Sequence, residues 1–102
     1  MYSDQEIEKE IVDKGLTAPR ITPDILDGMI TASAYHVFPT TTMTVCCLTL
    51  TNGFNTIGHS SCASPRNFNA EIGKAIALRN AKQEIWALGG YLLKEKLFQG
   101  NM

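Results

Sequence analysis

The sequence predicts an α+β fold: two short N-terminal helices, a small antiparallel β-meander of about three strands, and a long C-terminal helix packed on the sheet. Three observations carry that prediction. Asn52-Gly53 ends a run dense in β-branched residues, MTVCCLTLT, and this dipeptide marks a two-residue type I′ hairpin. From Phe68 to Leu92, apolar residues recur at three- and four-residue spacing, which is the period of an amphipathic helix. Ser3 followed by Glu6 is a capping-box pair that opens a helix near the N-terminus. A chain of 102 residues has room for one domain, residues 1–102, and a small core.

Composition narrows the function classes. With 44% hydrophobic and 19% charged residues the chain reads as globular rather than disordered. Nine Lys and Arg against ten Asp and Glu leave a net charge of −1, so nothing here forms the electrostatic footprint of a nucleic-acid binder. The strongest apolar run, residues 45–50, is far short of a membrane span, and the acidic start MYSDQEIEKEI lacks the basic head and apolar centre of a secretory signal. A soluble protein retained in the cytoplasm, with no membrane partner, is expected. Cys46, Cys47 and Cys62 are an odd number, which fits free, largely buried thiols better than a disulfide framework.

In chain order, helix one covers residues 4–14, with Ile7, Ile11 and Val12 as its apolar stripe and Gly15 suited to the left-handed position after it. Pro19 marks an extended connector. Thr22-Pro23-Asp24 reads as an N-cap, a first-turn proline and a carboxylate favoured by the helix dipole, opening a second helix over residues 23–32. Tyr35 to Phe38 form a short strand closed by Pro39, and residues 43–51 form the best strand in the chain. A two-residue turn at Asn52-Gly53 sets Thr51 opposite Phe54, Leu48 opposite Ile57, Cys47 opposite Gly58 and Cys46 opposite His59. One face then carries Cys46, Leu48, Leu50 and Ile57, and the other Met43, Val45, Cys47 and Phe54. Neither is polar. One covering helix accounts for only one of them, so a homo-oligomer that buries the second is expected.

Ser64-Pro65 reads as the cap of the long helix. Its large apolar stripe is Phe68, Ile72, Ala75, Leu78, Ala81, Ile85, Leu88 and Leu92; beside it runs a small stripe, Ala70, Gly73, Ala77 and Ala81, that permits close approach to a sheet or helix. Gly89-Gly90 predicts a kink or break, with residues 91–99 as a separate final segment.

The strings GLTAPRITPDI, HVFPTTTMTVCCLTLTNGF and GHSSCASPRNFNAEIGKAIALRNAKQEIWALGGYLL resemble a family of small tailed-phage accessory proteins named after gene forty-nine of one phage and gene sixty-six of another. The resemblance spans residues 15–97 and is densest at Cys62, Asn67, Phe68, Glu71, Ile72, Gly73, Ala81, Trp86, Gly90 and Tyr91. It implies a phage or prophage accessory gene expressed in the bacterial host cytoplasm, and it brings no catalytic residues with it. Relatives often place a proline after the tryptophan and an acidic residue before the final glycine; Ala87 and Gly89 stand there in this chain.

Catalytic readings fail on the residues. Gly58-His59-Ser60-Ser61-Cys62 has the outline of a nucleophile elbow but lacks its last glycine, and every aspartate precedes residue 28. Cys62 with His59 or His36 has nothing to activate the thiol. His36, Cys46, His59 and Cys62 lack metal-ligand spacing, and the vicinal Cys46-Cys47 pair points to opposite faces of a strand. No enzyme, metal or cofactor is expected. The loop SSCASPRN is the best ligand candidate: Ser60, Ser61, Ser64, Asn67 and the Arg66 guanidinium beside a helix N-terminus suit a phosphate. Arg20 is a second phosphate candidate, and Trp86 and Tyr91, with Tyr35 and Phe38, offer rings for a base. The mixed charges of Lys74, Arg79, Lys82, Glu84, Lys94, Glu95 and Lys96 read as a solvated helix face. Two binding functions follow: sequestration of a phosphate-bearing nucleotide second messenger, of the cyclic oligonucleotide or cyclic ADP-ribose type, or direct inhibition of a host protein. A structural accessory role without a small ligand is the plain alternative.

Overall fold

The computed structural model describes residues 3–16 and 18–100. Helix α1, Asp4–Asp13, opens on the expected capping box: Ser3 Oγ accepts from the Glu6 N–H at 3.1 Å and the Glu6 carboxylate accepts from the Ser3 N–H at 3.4 Å. Gly15, at φ +70°, lets the chain leave it. α1 buries none of its side chains fully. Helix α2, Pro23–Gly28, is capped by Thr22, whose Oγ1 accepts from the Ile25 N–H at 3.1 Å. It stops four residues short of the expected end, because the chain turns at Met29 into a strand.

That strand, β1, spans Ile30–Val37, five residues earlier than the sequence predicts. Ala32-Ser33-Ala34 has little intrinsic strand preference; pairing with β2 imposes the conformation. β1, β2 (Thr44–Leu50) and β3 (Asn55–Ser60) form an antiparallel sheet in the order β1-β2-β3, with an irregularity between Ile30 and Ala32.

The hairpin lies where Asn52-Gly53 places it, but its register is shifted by one residue. The loop has three residues: Leu50 N–H donates to Phe54 O at 2.8 Å, Gly53 N–H donates to Leu50 O at 2.9 Å, and Gly53 sits at φ +87°. This is a turn followed by a left-handed glycine bulge rather than a type I′ turn. Cys47 therefore pairs with Ile57, Cys46 with Gly58, and Leu48 with Thr56. A one-residue slip exchanges the faces of a strand. Ile57, expected in the core, is 58% exposed on the open face, while Thr56 and Gly58 point inward with Thr44, Cys46, Leu48 and Leu50.

The long helix α3, Ala70–Phe98, starts later than predicted. Ser64-Pro65 caps a single 3-10 turn, Pro65–Asn67, and Asn69 caps α3 itself by accepting from the Ile72 N–H at 3.0 Å. Gly89-Gly90 does not end it, and Tyr91 to Phe98 continue the same helix. No proline stands in this segment, so the backbone ladder is unbroken. Gly89 is buried under Ile21, which lies 3.5 Å from where a Cβ would be.

The stripe that α3 buries, Ala77, Ala81, Ile85 and Gly89, matches neither expected one: it takes Ala77 and Ala81 from the small stripe and Ile85 from the large one, while Ala70 of the first and Ile72, Leu88 and Leu92 of the second are exposed. The reason is Gly58. A Cβ there would sit 2.1 Å from the Ala81 N and 2.3 Å from the Ala77 O, so the helix backbone rests directly on the strand backbone. Above and below this contact, Leu26, Cys46, Leu48, Leu50 and Ile85 complete a small core. α3 lies chiefly over β3 and β2.

Candidate functional site

The polar loop that joins β3 to α3 occupies one end of the molecule. Thr42 Oγ1 donates to the Cys62 O at 2.6 Å, which ties the loop to the β1–β2 connection, and the Cys62 thiol donates to the Ser64 O at 3.3 Å. Ser60 Oγ donates to the Gly73 O at 2.7 Å, and Ser64 Oγ accepts from the Arg66 N–H at 3.3 Å. Those two hydroxyls are occupied structurally. Ser61, Arg66 and Asn67 are exposed, and Arg66 has no carboxylate partner among the described residues. The adjoining cavity holds about 70 Å³, bounded by Thr42, Cys62, Phe68 and Ile72. A pocket that encloses a ligand of drug or nucleotide size needs roughly 300 Å³ or more, so one copy supplies a polar surface here and not an enclosure.

The remaining candidates lie elsewhere. Arg20 makes a bidentate ion pair with Glu8 of α1: Nη1 meets Oε1, and Nη2 donates to Oε2 at 2.8 Å. Hydrogen bonds from that guanidinium hold the Glu8 carboxyl below its usual range, and the same contact raises the proton affinity of Arg20. Trp86 is half-buried and lines a cavity of about 110 Å³ between α1 and the body, together with Ile7, Glu8, Ile11 and Arg20. Tyr91 is 72% exposed on the outer side of α3, turned away from the buried stripe. At 1.5 Å per residue, the start of α3 is roughly 24 Å from Trp86 and about 32 Å from Tyr91. Ser60, Ser61, Ser64, Arg66 and Asn67 thus form one group, Arg20 and Trp86 a second, and Tyr91 stands alone.

The rings of β1 take other roles. Lys74 Nζ lies 5.7 Å from the centroid of the Tyr35 ring, and burial, followed by the nearby Cys46, raises the Tyr35 phenol. Phe38 packs edge-on against His36 at 4.7 Å. Burial pushes the Cys46 thiol up, and its side chain is fully buried in the core. Cys46 and Cys47 do point to opposite sides of the sheet, the first buried and the second half-exposed. Among the described residues, no group of three or more His, Cys, Asp or Glu is placed to hold a metal ion, and no helix is long and apolar enough to cross a membrane.

An apolar cleft went unnoticed in the sequence. It encloses about 630 Å³ between the connector, α2 and the last third of α3, with Pro19, Ile21, Ile25, Met29 and Leu92 as walls and Lys96 at the rim. Gly89 also lines it, against the side chain of Ile21.

A short sheet seated on one long helix, with a polar loop at one end and an apolar cleft at the other, defines a small α+β accessory domain. The chain belongs to the Phage protein (N4 Gp49/phage Sf6 gene 66) family, whose model matches residues 21–97. The match takes in the sheet, the loop and nearly all of α3, and leaves α1 outside it. No curated protein and no solved structure matches the chain.

Proposed function

We propose that this phage accessory protein is a non-catalytic counter-defence protein that binds and sequesters a phosphate-bearing nucleotide signal, of the cyclic oligonucleotide or cyclic ADP-ribose type, as a homo-oligomer in the cytoplasm of the infected host. The observation that carries the reading is the separation of the candidate groups. Arg66, Ser61 and Asn67 offer unengaged phosphate donors, and Trp86 and Tyr91 offer rings, but roughly 24 Å or more of helix lies between them in one copy. A nucleotide gripped at both ends needs the loop of one copy and the helix of another. The apolar surface favours such assembly: Ile57, Phe54, Ile72, Leu88 and Leu92 are all exposed, against a core of seven buried hydrophobic residues among the described ones.

The test is the melting temperature of the purified protein against a panel of cyclic nucleotides and ADP-ribose derivatives. A ligand at a hundred times its dissociation constant adds about 2.7 kcal/mol, which raises Tm by roughly 10 °C in a domain of this size. Arg66→Ala should abolish most of that shift without lowering the unliganded Tm. Full-affinity binding by the variant would remove Arg66 from the site. No shift with any member of the panel would favour the second reading, direct inhibition of a host protein, for which the 630 Å³ apolar cleft is the specific observation.

A further inference from the structure

The two edges of the sheet are treated differently by the rest of the chain. On β3, α3 packs along the strand, and Asn80 Nδ2 donates to the His59 carbonyl at 2.9 Å, so part of that edge is satisfied from within. β1 has no such guard. It is an eight-residue edge strand that pairs only with β2, and Ile30-Thr31-Ala32-Ser33-Ala34-Tyr35-His36-Val37 contains no proline and no Lys, Arg, Asp or Glu. Monomeric proteins blunt a free edge with charge, proline or cover. This one is bare.

Its hydrogen-bonding pattern follows from the register. The Phe38 N–H donates to the Met43 O at 3.3 Å, and bonded and non-bonded pairs alternate along an antiparallel ladder. His36, Ala34 and Ala32 therefore bond inward to Val45, Cys47 and Thr49. Ser33, Tyr35 and Val37 direct their N–H and C=O groups to the outside.

We propose that β1 is the assembly edge of the protein, taking the β1 strand of a second copy antiparallel across a two-fold axis to give one continuous six-stranded sheet. The occupant is a second copy because the edge is self-complementary: with the axis at Tyr35, Ser33 of each copy meets Val37 of the other, and all three outward residues are bonded. No like charges meet, since the strand has none. An axis normal to the sheet puts both α3 helices on the same side, flanking a trough floored by Tyr35 of both copies. This rests on the oligomer reading above and adds to it a backbone contact separate from the exposed Ile57, Phe54, Ile72, Leu88 and Leu92.

Proline discriminates this edge from any other interface. The Ser33 N–H points outward, so Ser33→Pro removes no bond to β2 yet blocks pairing with a second copy. Ser33→Lys places two ammonium groups in the seam without touching the backbone. Sedimentation equilibrium should show the wild type as a dimer or a multiple of it. Both variants should then fall in mass by a factor of two or more, with unchanged circular dichroism. In the wild type the amide protons of Ser33, Tyr35 and Val37 should exchange slowly; in Ser33→Lys they should exchange at the rate of open amides. A wild type that associates, with both variants keeping its mass, overturns the β1 edge and leaves the oligomer reading standing. A wild type that stays monomeric at high micromolar concentration overturns both. If Ser33→Pro does not fold, the lysine variant decides alone.

Discussion

Helices α1 and α3 are fastened to the same body by opposite means. α3 is seated by backbone contact, with Gly58 under Ala77 and Ala81 and no space for one added carbon. α1 buries no side chain fully and is held chiefly by the Glu8–Arg20 pair and a loosely filled seam against Trp86. The first attachment depends on close backbone fit; the second combines one ion pair with partial apolar packing of Ile7 and Ile11 beside Trp86. The family match follows the same division, including α3 and excluding α1.

Three variants sharpen that contrast. The largest effect belongs to Gly58→Ala. The new methyl meets backbone atoms, which have no rotamer with which to yield, so the loss should be about 3 kcal/mol or more, above the usual range for overpacking only because both neighbours are main chain. Thermal unfolding should show a fall of roughly 15 °C. A loss below about 1 kcal/mol would mean that the helix can lift from the sheet, and the two seams would then be of one kind.

A smaller effect of opposite sign comes from Thr56→Val. Thr56 is buried on the α3 side of β3, and its hydroxyl has no hydrogen-bond partner among the described residues. Removing an unpaired buried hydroxyl should stabilise the fold by about 1 kcal/mol, read as a higher Tm or denaturation midpoint.

The smallest effect on global stability, and the most local, comes from the α1 clamp. Glu8 has a depressed folded-state pKa, so its contribution is complete above the ordinary glutamate range and disappears as the pH falls through the lowered value. Trp86 is the only tryptophan and lines the seam with Glu8, which makes its emission a direct probe. Acidification should shift that emission to the red before the helical signal is lost, and Glu8→Gln should shift it at neutral pH with little change in Tm. Asp4 lines the same seam, and Asp4→Asn is the control.

Much of this architecture could be read from local chemistry. The capping box at Ser3 and Glu6, the left-handed Gly15, the Thr22-Pro23 cap and the β2 strand are short-range features, and each is where its residues put it. The errors share a cause: each concerned a choice settled by a distant partner. Asn52-Gly53 suits both a two-residue turn and a three-residue loop, and packing of Gly58 against α3 goes with the second. Ser64-Pro65 is a good cap, and so is Asn69; only the first turn after Asn69 runs on as α-helix. The large stripe of α3 has the stronger hydrophobic pattern, yet the contact with Gly58 turns Ala77 and Ala81 to the sheet and buries a stripe between the two expected ones. Of the candidate ligand residues, the polar loop was legible as a cluster, because its members are neighbours in sequence. That Glu8 occupies Arg20, and that Trp86 and Tyr91 lie far along the helix, is a matter of tertiary placement and helix length, which no motif encodes.

The reach of α3 also bears on how the protein behaves in motion through solvent. At 29 residues it is about 44 Å long, and the molecule measures 51 × 31 × 18 Å with a radius of gyration of 16.3 Å. A spherical domain of this mass has a radius of gyration of about 13 Å. One copy therefore drags like a heavier particle, and a sizing column calibrated with round standards will report an inflated mass even for a single chain. The number of copies must come from light scattering or sedimentation equilibrium, which weigh the particle independently of its friction.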